Sequence, residues 1–112
     1  MLVLNRFITT DTPDGFVQRA HAALAALAER PGYLSGRLTR ALDDPAHWTL
    51  VTEWEAVGAY RRALGAFDVK VHATPLLAES VDVPSAFETL ASAEPGGEVI
   101  VTPSDRAAQQ WR

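Results

Sequence analysis

The sequence predicts one α+β domain of ferredoxin-like plan, βαββαβ, whose antiparallel sheet closes against a second copy to form a dimeric α+β barrel. Two observations carry this. Stretches of strand and helix periodicity follow one another in the order strand, helix, strand, strand, helix, strand. The first strand is largely apolar on both faces, whereas the helices of such a plan cover only one. The length, 112 residues, suits a single core that buries roughly two thirds of the unfolded surface.

In strand one, Leu2/Leu4/Arg6/Ile8 alternate with Val3/Asn5/Phe7/Thr9. Thr12 can then cap a helix, and Pro13 suits its first position, where a missing N–H costs nothing. Helix one is expected to run to about Arg30. Phe16, Ala20, Ala23, Leu24 and Leu27 keep a helical period, and Pro31-Gly32 supplies the stop. Tyr33 to Leu42 reads as strand two, with Gly36 marking a bulge, and Asp43-Asp44-Pro45-Ala46 turns the chain into a third strand from His47 to Glu55. There Trp48, Leu50, Thr52 and Trp54 share a face.

From Ala56 the pattern is helical, with Val57, Tyr60, Ala63 and Leu64 on one side and Arg61-Arg62 on the other. Gly65 interrupts it, Ala66-Phe67 is expected to tuck under the sheet, and a short helical piece from Asp68 ends around Pro75. Glu79 to Leu90 alternates as strand four, which Pro84 confines to an edge or a bulge. The expected boundaries are a domain over 1–90 and a linker, short strand and tail over 91–112, in which the run 98–102 is β-prone and can add to a sheet.

Ten basic residues are scattered among fourteen acidic ones, which argues against nucleic acid as a partner. The absence of cysteine excludes disulfides and thiolate chemistry. No apolar run approaches the length of a membrane span, and Met1 leads straight into a strand pattern, so a cytoplasmic protein is expected. The three histidines have no metal-ligand spacing, so no metal site is expected, and no phosphate loop, nucleophile elbow or dinucleotide fingerprint is present.

The residues with most to offer chemically are Asn5 and His72. Asn5 lies on the strand face turned toward the helices, where an amide needs a partner or a ligand; it can be structural, or it can orient a substrate oxygen or stabilise developing negative charge. His72 can be a base that deprotonates a phenol, or a surface histidine. Tyr60, Phe67 and Trp48 are candidates to stack a planar substrate, and Arg40 or Arg61 to hold a carboxylate, although such residues also serve as core and solvated surface.

Val3-Leu4-Asn5-Arg6-Phe7, Arg30-Pro31-Gly32-Tyr33 and Val51-Thr52-Glu53-Trp54-Glu55 together resemble the antibiotic-biosynthesis monooxygenase superfamily over about residues 2 to 90. The resemblance implies a homodimer acting on a small aromatic molecule, either as a cofactor-independent monooxygenase that oxidises phenolic or polyketide-like compounds with dioxygen, or as a haem-binding or haem-degrading protein. A non-catalytic dimeric ligand-binding module is the third reading on the same scaffold. Toward the haem-degrading branch, Asn5 matches the strand asparagine, His72 falls one residue short of the ligand spacing after Trp54, and Ala63 stands where that branch has a tryptophan.

Overall fold

A computed structural model describes residues 1–9 and 14–104, and of Asp14 only the backbone. The Thr12 cap, Pro13 and most of the tail fall outside the described residues. The elements are β1 (Leu2–Ile8), α1 (Asp14–Ala28), β2 (Tyr33–Arg40), β3 (His47–Trp54), α2 (Val57–Leu64), α3 (Phe67–His72), α4 (Thr74–Leu77), β4 (Ala86–Phe87), β5 (Ala91–Ser92) and β6 (Ile100–Val101). β1 to β4 form an antiparallel sheet in the order β2-β3-β1-β4, the ferredoxin-like arrangement expected from the element order.

Register decides what faces the helices. Val3, Asn5 and Phe7 stand opposite Thr52, Leu50 and Trp48, and all six are buried beneath the helical layer. Helix α1 presses Ala20, Ala23 and Leu27 into this layer, and its alanines let the backbone approach the sheet closely. The other face carries Leu2, Leu4, Arg6 and Ile8 of β1 with Thr49, Val51 and Glu53 of β3. Among the described residues no element covers Leu2 or Ile8, which are 36% and 54% exposed.

Several boundaries differ from expectation. Strand four shrinks from 79–90 to Ala86–Phe87. Pro84 has no ladder donor, and Val83 donates its N–H to the carbonyl of Val81 at 2.9 Å, so this stretch turns tightly; only isolated bonds, Val81 N to Arg6 O and Leu4 N to Ser85 O, tie it to β1. Pro75 begins a helix and does not end one, standing in the first turn of α4. The irregularity of β2 lies between Tyr33 and Ser35, not at Gly36. Phe67 does not tuck under the sheet. It is 77% exposed at the start of α3, and only Ala66 packs on the core. The β-prone run after the linker pairs with β5, Ser92 opposite Ile100, and does not join the main sheet. Among the described residues no helix is long and apolar enough to cross a membrane.

The turn after α1 sets the distance between α1, β2 and α2. Gly32 has φ +88°, and a Cβ there would lie 2.4 Å from the Cβ of Ala59. Gly96 shares the left-handed conformation, with φ +72°, but faces open space. Gly32→Ala is therefore expected to lower the urea-unfolding free energy by roughly 2 kcal/mol or more, and Gly96→Ala by about 1 kcal/mol, from backbone strain alone.

Candidate active site

Asn5 is polar in a strand position that the fold buries. Its residue exposure is 8%, and its amide makes no side-chain hydrogen bond among the described residues. The amide atoms are nevertheless not sealed in the core, because they border a cleft of about 320 Å³ lined by Asn5, Tyr60, Leu64, Thr74, Leu77 and Ala78. Each wall has a local cause. Alternation along β1 turns Asn5 toward the helices, α2 presents Tyr60 and Leu64 four residues apart on one face, and Pro75 sets the start of α4 so that Thr74 and Leu77 close the side.

Tyr60 is braced from behind. Its ring lies 5.5 Å from that of Trp54, which is fully buried, meets Tyr33 edge-on at 5.4 Å, and donates its indole N–H to Thr52 Oγ1 at 2.9 Å. Burial pushes the Tyr60 phenol above its ordinary pKa, so at neutral pH it is a hydrogen-bond donor, not a phenolate. Cleft chemistry is thus two uncharged donors, the Asn5 amide and the Tyr60 hydroxyl, with the Thr74 hydroxyl, among apolar walls. None of these side chains titrates near neutral pH.

A second, wider hollow of about 700 Å³ adjoins the cleft and shares Tyr60 and Leu64 with it; Met1, Val57, Arg61, Ala86, Phe87, Glu88 and Leu90 complete its lining. The sequence pattern places Arg61 on the side of α2 away from the apolar stripe. Instead Ala59 and Ala63 point into the core, and Val57, Tyr60, Arg61 and Leu64 form an i, i+3, i+4, i+7 stripe along the two hollows.

The other expected residues are placed elsewhere. His72 does not meet Asn5. Val69, Ala73 and Leu76 are the positions turned inward, which leaves His72 exposed on the flank, in a shallow recess with Ala22, Ala25, Ala26, Glu29 and Asp68. Trp48 is buried against Phe16 at 5.3 Å and donates its indole N–H to Thr9 Oγ1 at 3.2 Å, so it packs the core and does not line the cleft. Arg40 lies over the Trp48 ring, 5.1 Å from its centroid, also away from Asn5. Phe67 lines neither hollow. Leu64, Thr74, Leu77 and Ala78 were not foreseen as lining residues, although the four-residue step from Tyr60 to Leu64 is the signal that marks the first of them.

Residues 1–73 match the family profile of the antibiotic biosynthesis monooxygenases. The chain belongs to this family. Among solved structures it is similar to SnoaB, a cofactor-independent oxygenase from Streptomyces nogalater, at 29% identity over 80% of this chain and 94% of that one, with a TM-score of 0.63. A mutant of the same oxygenase matches at 30% identity over 71% and 82%, also with a TM-score of 0.63. A conserved protein from Methanosarcina mazei shares the fold at 17% identity, covering 76% of this chain and 84% of its own, with a TM-score of 0.62. No curated protein sequence matches.

The residues do not fit the haem-degrading arrangement within this family. His72 is outside the Asn5 cleft, no other histidine lines that cleft, and Ala63, at the position of the expected tryptophan, is packed in the core. Among the described residues no group of three or more metal-ligating side chains converges.

Whether the Asn5 amide serves the fold or the cleft can be read from stability. With no partner to lose, Asn5→Leu is expected to unfold at the same urea concentration as the parent or a higher one. A loss above about 1 kcal/mol would make Asn5 a structural amide.

Proposed function

We propose that this chain is a cofactor-independent monooxygenase that oxidises a phenolic or polyketide-like small molecule with dioxygen, and that the reacting ring lies in the Asn5 cleft. The observation that carries this reading is the Asn5 amide, without a side-chain hydrogen bond among the described residues and bordering one largely apolar cleft with Tyr60. Two fixed donors in a largely apolar hollow stabilise an oxyanion more strongly than water does, because they need no reorganisation as charge develops. The family and the likeness to a cofactor-independent oxygenase support the same reaction class.

In this scheme an acidic phenol or enol of the substrate ionises, and its proton passes to water at the open side of the cleft. Asn5 Nδ2 and Tyr60 Oη donate to the resulting oxygen. The electron-rich anion passes one electron to dioxygen, and the substrate radical and superoxide combine through a new C–O bond. The peroxide anion takes a proton back from water, and the hydroperoxide loses water as the C–H on the same carbon gives up its proton and the O–O bond breaks. For a ring methylene the balance is one methylene and one dioxygen giving one ring ketone and one water, so the substrate supplies all the electrons.

Oxygen-electrode assays with a hydroxyanthrone test this. Asn5→Ala is expected to reduce turnover by about ten- to a hundredfold, Tyr60→Phe by about tenfold, and His72→Ala to leave it unchanged. The rate should rise with pH through the substrate's own ionisation. A loss of turnover in His72→Ala would return the base to the imidazole. No oxygen uptake with any hydroxyanthrone or hydroquinone would leave the ligand-binding module as the reading.

We also propose that a second copy covers the open sheet face, because Leu2 and Ile8, with the half-buried Leu4 between them, present apolar surface that no element among the described residues shields. Ile8→Lys is expected to convert a dimer to a monomer in sedimentation velocity. A wild-type chain that sediments as a monomer would refute this.

A further inference from the structure

The wider hollow is bordered by one basic side chain, Arg61. Arg61 is the one charged member of the stripe Val57, Tyr60, Arg61, Leu64, and it makes no ion pair among the described residues. Among the described residues the only acid lining this hollow is Glu88, whose Oε1 accepts a hydrogen bond from Ser104. The rest of the wall is Met1, Val57, Tyr60, Leu64, Ala86, Phe87 and Leu90, mostly apolar. Helix polarity does not explain Arg61 by itself. Arg62, beside it in the same last turn, meets that dipole equally well, but it lines neither hollow and lies against Gly58.

We propose that Arg61 is a specificity-determining residue that selects substrates bearing a carboxylate on the part of the molecule outside the Asn5 cleft. This rests on the reading of the Asn5 cleft as the seat of the reacting ring. Because the two hollows share Tyr60 and Leu64, a molecule with its ring beside Asn5 extends past that pair into the wider space. There an apolar body rests on Val57, Phe87 and Leu90, and a carboxylate on its end meets the guanidinium, which offers paired N–H donors matched to carboxylate geometry.

The test is equilibrium binding, followed by quenching of tryptophan fluorescence, with anthraquinone-2-carboxylate and anthraquinone-2-carboxamide as probes. The parent protein is expected to bind the carboxylate more tightly. Arg61→Gln should weaken carboxylate binding by roughly three- to tenfold and leave the carboxamide unchanged. Arg62→Gln removes the same charge from the same helix and should keep the parent's preference. Equal binding of the two probes by the parent, a preference that survives Arg61→Gln, or an equal loss in Arg62→Gln would overturn the role of Arg61 while leaving the cleft in place. Failure of the parent to bind either probe would overturn both the role of Arg61 and the cleft reading.

Discussion

Trp54 is the side chain on which the rest of the structure depends. It closes β3, sits entirely out of solvent, and satisfies its only donor on Thr52 of its own strand, so its burial leaves no polar group stranded. From that fixed position it touches the rings of Tyr33 at the start of β2 and Tyr60 on α2. One indole thus joins the turn after α1, the sheet and the helix that carries the cleft wall. Replacing it would leave a large void and also free the ring that faces Asn5.

This arrangement bears on how Asn5 can stand in the core layer with no side-chain hydrogen bond among the described residues. That layer is dry and close-packed around Val3, Phe7, Leu27, Leu50 and Val69, and an amide buried among them would need a hydrogen bond. Asn5 escapes that requirement because α2 and α4 part just enough to give it a cleft. The gap exists because the second half of the helical layer is broken into short pieces, first after Leu64 and again at Pro75. A continuous helix would have sealed the cleft.

Much of this was legible in the sequence. The alternation of β1 put Asn5 on the helix side, the stripe of α1 named Ala20, Ala23 and Leu27, and the turn residues 43–46 placed the hairpin. What failed was phase after a break. His72 lies on a six-residue helix that starts afresh after Gly65, so its rotation cannot be carried forward from α2, and it lands on the flank toward α1. Arg61 failed for a related reason. With eight residues in α2, the apolar positions alone do not separate a stripe facing the core from one facing a hollow; only the small size of Ala59 and Ala63 hints which side meets the sheet. The length of β4 was not legible because alternation in 79–90 outweighs, to the eye, the local turn that Pro84 imposes.

That turn bears on how folded copies of the chain meet edge to edge. β4 forms the rim of the sheet beside β1, and a long regular strand there would offer a full row of free N–H and C=O groups to any other extended chain. Here the edge is two residues long, preceded by a proline and a backward-bonded bend at Val81 to Val83. At this rim a stray strand meets only two residues of regular edge. The opposite rim, β2, keeps eight residues, so the kink blunts one edge of the sheet and not both.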